Sequence, residues 1–147
     1  MRSDLAARIP DGSMPNTFAA NSLSAAVALT NISILQDPEL DLLNRAHTLG
    51  QEAQTYIRGF NSPFVGEVRG RGLMIGIELV GDPNTKAPLE PHKIGQLMGY
   101  LLNHGVLMIP CGRYSNVMRV MPSLTISRSL FFRALDIFRD ALASLEA

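Results

Sequence analysis

The chain has 147 residues, of which 46% are hydrophobic and 18% are charged, and its 13 basic groups balance 13 acidic groups to a formal charge of zero. This balance excludes a nucleic-acid binder that relies on a basic surface and an acidic disordered tail, because both need a strong charge excess. We therefore expect a folded globular unit with a sizeable core and no nucleic-acid partner.

The single cysteine, Cys111, excludes an intrachain disulfide framework and a cysteine-based zinc site, and it is compatible with a reducing compartment. The three histidines, His47, His92 and His104, are scattered along the sequence and suggest no metal site. No apolar run reaches about 18 residues, and no segment reads as an export signal. These features predict a cytoplasmic protein with no bound metal and no membrane span.

The first part of the chain is predicted to be a loop followed by helices. Turn-forming residues and little periodicity mark residues 1–20 as a loop. From Asn21 onward, apolar residues recur at helical spacing, with Asn21 or Ser22 available as the N-cap. This first helix is expected to end before Pro38, and a second helix is predicted from Glu39 to Arg58.

Beyond Gly59 the hydrophobic pattern changes to period two, which is typical of strands. Alternating apolar residues between Phe64 and Val80, interrupted by glycines, predict a pair of strands. A third helix is predicted from Pro91 to His104, and the apolar run from Val106 to Ile109 is predicted to be a buried strand.

The last part of the chain is predicted to contain a loop from Pro110 to Asn116, a short strand from Val117 to Met121, and an amphipathic helix that begins at Ser127. The order of the elements predicts an α+β fold, with helices packed on a small, mainly antiparallel sheet. We divide the chain into a loop segment, a helical segment and an α+β segment, at residues 1–20, 21–58 and 59–147.

Three strings that occur in order resemble one known family. They read PNTFAANSLSAAVAL at 15–29, VRGRGLMIGIEL at 68–79 and NVMRVMPSLTI at 116–126. Together they resemble the C-terminal part of class III, ω-type aminotransferases, and residues 111–116 are most similar to the 4-aminobutyrate and diaminobutyrate branch. The resemblance implies the small C-terminal domain of a fold-type-I, pyridoxal 5′-phosphate-dependent homodimer, which transfers an amino group from an amine or ω-amino acid to a 2-oxo acid.

The resemblance assigns a role to Thr17. From the residues alone, a hydroxyl just before a helix is an N-cap or has no special role. In the family, the threonine of this string donates a hydrogen bond to the cofactor phosphate of the neighbouring subunit, which suits a hydroxyl near a helix N-terminus. The resemblance therefore implies that segment 1–20 contributes to the cofactor-phosphate site, and that segment 21–58 links to the large domain.

Arg119 is the candidate substrate-binding residue. Its position in a short apolar strand allows a structural interpretation, in which an edge-strand arginine covers apolar surface with its stem. The resemblance implies instead that Arg119 clamps the substrate carboxylate, or pairs with an upstream glutamate in the 4-aminobutyrate branch. Bidentate hydrogen bonding makes arginine better than lysine for either task.

The catalytic lysine of the family has no counterpart in this sequence. The only lysines are Lys86, beside a proline-rich turn, and Lys93, in the third predicted helix, and neither lies in the family's lysine context. The chemistry needs an amine that is desolvated and held against the cofactor. We therefore expect a C-terminal fragment that is inactive alone. The sequence does not identify the amino donor and acceptor of the full enzyme. The alternative is a non-catalytic dimerisation or ligand-binding module that kept the small-domain fold.

The remaining charged and thiol groups favour structural roles. Arg69 and Arg71 alternate with glycines but lack the strand-to-helix context of a phosphate loop, so we expect them to pair with carboxylates such as Glu67 or Glu78. We expect Glu78 to satisfy a buried arginine or a backbone amide. Cys111 is interpreted as a buried or loop thiol.

Overall fold

A computed structural model of the chain describes Asp4, Ala7, Arg8, Pro10 and residues 21–146. The chain divides into two compact units, residues 1–40 and 41–147. The predicted segments 1–20, 21–58 and 59–147 stay a prediction, and Thr17 lies outside the described residues.

The first unit contains one described helix of eight residues or more, α1 (Ser22–Leu35). The side chain of Asn21 accepts a hydrogen bond from the Ser24 amide at 2.9 Å, which confirms Asn21 as the N-cap. None of the helix residues is buried, and its large apolar side chains lie on all sides: Leu23, Val27, Leu29, Ile32 and Ile34. Apolar residues around the whole circumference are typical of a helix that other protein covers.

The second unit is a four-stranded antiparallel sheet with three helices. Its helices are α2 (Leu42–Arg58), α3 (Pro91–Asn103) and α4 (Arg128–Ala143), and its strands are β1 (Val65–Arg71), β2 (Met74–Leu79), β3 (Ile109–Cys111) and β4 (Val117–Val120). The strand order is β1-β2-β4-β3. This architecture confirms the predicted α+β fold with helices on an antiparallel sheet.

Burial on one face of the sheet organises the second unit. Ile75 and Ile77 of β2 and Met118 of β4 are at most 1% exposed, and they form one core with helix residues such as Leu97 and Phe138. Because side chains alternate along a strand, the intervening residues of β2 and β4 lie on the opposite, open face. Glu67, Arg69, Met74, Gly76, Glu78, Ile109 and Arg119 belong to this open face.

Two predicted boundaries were wrong for identifiable reasons. Helix α2 begins at Leu42 and not at Glu39, because Asp41 adopts a left-handed conformation with φ of 43°. The third strand is Ile109–Cys111 and not Val106–Ile109, because pairing with β4 runs from Ile109 opposite Arg119 to Cys111 opposite Val117. Part of the predicted 110–116 loop is therefore strand.

The β1–β2 hairpin is fixed to α2 by a close backbone contact. A Cβ atom on Gly50 of α2 would lie 2.0 Å from the Gly72 carbonyl oxygen, so only glycine allows this approach. Gly72 has φ of 55° and turns the chain between the two strands. The hairpin, and with it the position of β2 in the sheet, depends on this contact.

We predict that Gly50→Ala destabilises the protein while Gly99→Ala does not. In an open helix position, alanine is about 1 kcal/mol more favourable than glycine. Nothing lies within 4 Å of a Cβ at Gly99 in α3, so Gly99→Ala should stabilise slightly. Gly50→Ala must displace the hairpin backbone and should cost about 2 to 3 kcal/mol. Urea unfolding measures both values, and a neutral Gly50→Ala would contradict the packing described.

Candidate substrate-binding site

Arg119 lies on an interior strand of the sheet. Its register partners are Gly76 on β2 and Ile109 on β3, so both sides of β4 are hydrogen-bonded. The edge-strand position considered for this residue is therefore wrong. Its neighbours Met118 and Val120 are 0% and 7% exposed on the core face, whereas Arg119 is exposed on the open face.

In the part of the chain that the structure describes, the guanidinium of Arg119 has no carboxylate partner. No described residue forms a hydrogen bond or an ion pair with its side chain. Arg119 is the one charged residue among the described residues that line a pocket of about 140 Å³. The other lining residues are apolar: Val106, Leu107, Met108, Val120, Met121, Pro122, Ile126, Phe131, Ala134 and Leu135. An exposed guanidinium with no described partner can bind a carboxylate.

A second arginine of the open face, Arg69, pairs with two carboxylates. Its Nη1 atom donates to Glu78 at 2.6 Å and to Glu67 at 2.7 Å. The hydrogen bond with Glu78 is the main cause that raises the pKa of Arg69. Glu67 and Glu78 are direct register partners on β1 and β2, so one arginine compensates two facing carboxylates. The predicted pairing of Arg69 is confirmed, although the arginine that satisfies Glu78 is half-exposed and not buried.

Gly76 separates the two arginines. The register places Arg69, Gly76 and Arg119 in one row across β1, β2 and β4. Adjacent strands lie about 4.8 Å apart, so the two arginine backbones are about 10 Å apart, and Gly76 itself adds no side chain between them. Glu78 is the diagonal neighbour of Arg119, at a typical separation of about 7 to 8 Å. The bond to Arg69 therefore keeps the nearest carboxylate of β2 away from Arg119.

The start of β4 is held by a residue that sequence reasoning did not single out. Asn116 is 3% exposed, and its side-chain amide donates to the Leu79 carbonyl at 2.8 Å. Its own carbonyl accepts from the Leu79 amide at 2.7 Å. These two bonds anchor the chain three residues before Arg119. The only sequence signal for this role is a polar residue directly before an apolar strand.

The other predicted residues lie elsewhere. Thr17 is outside the described residues. Lys86 is exposed, with Nζ 3.4 Å from the Gly66 carbonyl, and Nζ of Lys93 lies 4.8 Å from the ring centroid of Phe64. Neither lysine lines the pocket beside Arg119.

Cys111 and Arg71 lie in the same sheet as Arg119 but outside its row across the strands. The Cys111 thiol is half-buried on β3, next to the loop where it was expected. Arg71 forms no ion pair with any described residue, and the two carboxylates proposed for it, Glu67 and Glu78, pair with Arg69 instead. Within the described ranges, no group of three or more metal-ligating side chains lies together, and no helix there is long and apolar enough to cross a membrane.

Comparison with known proteins identifies the family. The family model described as Aminotransferase class-III matches residues 1–142, and the chain belongs to this family. It is 29% identical to the 5-aminovalerate aminotransferase of Pseudomonas putida over 93% of this chain and 32% of that protein. It is 28% identical to the 4-aminobutyrate aminotransferase of Escherichia coli over 92% of this chain and 32% of that protein.

The fold of the chain matches solved aminotransferase structures. An amine transaminase from an uncultivated Pseudomonas species, solved in its PLP-bound form, superposes with a TM-score of 0.79. The two are 28% identical, and the match covers 91% of this chain and 30% of that one. The chain thus spans about a third of the length of the relatives that it matches. Family and fold both agree with the resemblance drawn from the three sequence strings.

We predict that Arg69→Ala lowers stability through the carboxylates that it leaves behind. Glu67 and Glu78 would face each other without a shared cation, which should cost about 0.5 to 1 kcal/mol at pH 7, since all three groups are partly exposed. Urea unfolding measures this loss, and adding Glu78→Gln to Arg69→Ala should recover most of it. Arg71→Ala is the matched control and should change stability by less than about 0.5 kcal/mol. Equal losses for the two single variants would contradict the assigned pairing.

Proposed function

We propose that this chain forms the C-terminal part of a pyridoxal-phosphate-dependent aminotransferase, in which Arg119 binds the carboxylate of the substrate. The observation that carries the proposal is the exposed guanidinium of Arg119, which has no partner among the described residues and lies on an interior strand of a class-III aminotransferase fold. The reaction moves an amino group from an amine or ω-amino acid to a 2-oxo acid.

The surroundings of Arg119 support a clamp for carboxylates. The β ladder on both sides of β4 fixes its backbone, and Asn116 anchors the start of the strand. A fixed arginine can present two parallel N–H groups to a carboxylate without a large loss of side-chain entropy. The names of two relatives, a 5-aminovalerate and a 4-aminobutyrate aminotransferase, support an ω-amino acid as donor.

This chain supplies only part of the cofactor-binding site. Pyridoxal phosphate, when bound, acts as an electron sink for the substrate carbon. The described lysines do not fit its covalent attachment, because Lys86 is exposed and Lys93 lies over the Phe64 ring. The amine that holds the cofactor therefore comes from outside this sequence, and Thr17 donates to the cofactor phosphate.

The enzyme acts as a homodimer in the cytoplasm. The exposed apolar side chains of α1 (Ser22–Leu35) support an assembly in which other protein covers this helix. The single cysteine suits a reducing compartment.

We predict that Arg119→Lys in the complete enzyme selectively weakens use of the substrate whose carboxylate it holds. A point-like ammonium cannot reproduce two parallel hydrogen bonds. The loss should be about 2 kcal/mol, and so roughly thirtyfold in kcat/KM for the 2-oxo acid half-reaction. A simple amine donor, which has no carboxylate to bind, should lose much less.

The matched control is Arg133→Lys, which changes an exposed arginine of α4 that does not line the Arg119 pocket. It should leave both half-reactions unchanged. If Arg119→Lys depresses both half-reactions equally and also lowers the melting temperature, Arg119 belongs to the scaffold and the proposal is wrong.

We also predict that the 147-residue chain forms no specific covalent adduct with pyridoxal phosphate. The chain is incubated with the cofactor, reduced with borohydride and mapped by mass spectrometry. Because neither lysine amine is desolvated in a pocket, labelling should stay substoichiometric and be shared between Lys86 and Lys93. A stoichiometric adduct at one of them would contradict the proposed division of the cofactor site.

A further inference from the structure

A second pocket, of about 560 Å³, lies between α2 and the turn of the β1–β2 hairpin. Its lining residues are His47, Gln51, Gln54, Thr55, Arg58, Gly70, Arg71 and Gly72, and none of them lines the pocket beside Arg119. The pocket belongs wholly to the second unit. Its volume is in the range of small-molecule sites, which is about 300 to 1,000 Å³.

The charge of this pocket is one-sided. Among the described residues that line it there are two arginines and one histidine, and none is acidic. The nearby acids are engaged elsewhere: Glu52 pairs with Arg128 at 2.8 Å, and Glu67 pairs with Arg69 at 2.7 Å. Cationic groups in a concave wall without a compensating carboxylate create a positive potential that attracts anions.

The arrangement of donors is partly preorganised. Arg58 donates through Nη2 to the Val68 carbonyl at 2.8 Å and to the Gln54 side-chain oxygen at 3.2 Å. These bonds hold the guanidinium against the pocket wall and leave its other N–H groups, as well as the Gln54 amino group, available to a ligand. The side chains of Gln51 and Arg71 form no hydrogen bond with any described residue.

The two arginines of the pocket stand on different elements. Residues 51, 54, 55 and 58 follow a helical repeat along one side of α2, so the helix supplies a row of donors. Arg71 lies at the end of β1, on the hairpin. Cationic groups from two separate elements in one pocket match an anion with more than one oxyanion group better than a single small ion.

We infer that the pocket between α2 and the hairpin binds a small polyanion that carries two or more oxyanion groups, either a diphosphate or a polycarboxylate. Arg58 and Arg71 bind its two ends, and Gln51, Gln54 and Thr55 donate to the oxygens between them. This site does not depend on the proposed aminotransferase role, because it uses none of the residues assigned to that role.

The test is a calorimetric titration of the full 147-residue chain with inorganic pyrophosphate and, separately, with citrate, at low ionic strength. At least one probe should bind saturably at one site per chain, and the preferred probe identifies the oxyanion class. Arg71→Ala and Gln51→Glu should each weaken that binding on the order of tenfold, through a lost charge-assisted hydrogen bond and an introduced repulsive charge. Arg58 is not substituted in this test, because its hydrogen bond to the Val68 carbonyl also supports the fold.

Arg133→Ala serves as the matched control, since Arg133 is exposed and does not line this pocket. It should leave the affinity within about twofold of the parent chain. Failure of both probes to bind would overturn the inference. Equal losses for Arg71→Ala and Arg133→Ala would also overturn it, because they would mean diffuse attraction to net charge and not a site.

Discussion

Burial of one face of the sheet is the constraint on which the rest of the second unit depends. Ile77 and Met118 are completely buried against the helices, and they are register partners on β2 and β4. Because side chains alternate along a strand, a slip of one residue would bring Met118 to the open face and Arg119 into the core. A buried, unpaired guanidinium is costly, so the packing of Met118 also specifies where Arg119 lies.

Two arginines in the same row of the open face differ in whether they are ion-paired. Arg69 is held by Glu67 and Glu78, whereas Arg119 has no partner among the described residues. Gly76 between them provides no side chain that could reach either one. Arg69 therefore pairs with the acids of β1 and β2 and leaves the second arginine available for a ligand. This separation is the physical basis for the proposed carboxylate clamp.

The sequence was sufficient wherever a local signal determined the structure. Asn21 and Ser127 were predicted as helix starts, and each accepts an N-cap hydrogen bond. The alternation between Phe64 and Val80 predicted a pair of strands, which the structure confirms as β1 and β2. The short apolar run from Val117 to Met121 placed Arg119 on a strand, but only the strand order revealed that this strand is interior.

Features that depend on tertiary pairing could not be predicted in the same way. The third strand was misplaced toward Val106 because hydrophobicity marks burial and does not mark which residues pair with β4. Arg69 and Arg71 are equivalent in the sequence, yet only Arg69 faces two carboxylates across the sheet. The anchoring role of Asn116 also depends on Leu79, a residue of another strand.

The central claim is that Arg119, and not Arg69, is available to a carboxylate. NMR of the arginine Nε–H groups in the 147-residue chain, titrated with glutarate, tests this claim most directly. Arg119→Gln and Arg69→Gln assign the two resonances. We predict a saturable shift of the Arg119 resonance, whereas the Arg69 resonance stays in place because Glu67 and Glu78 already pair with that side chain. An Arg119 resonance that does not respond, together with a shift at Arg69, would contradict the account.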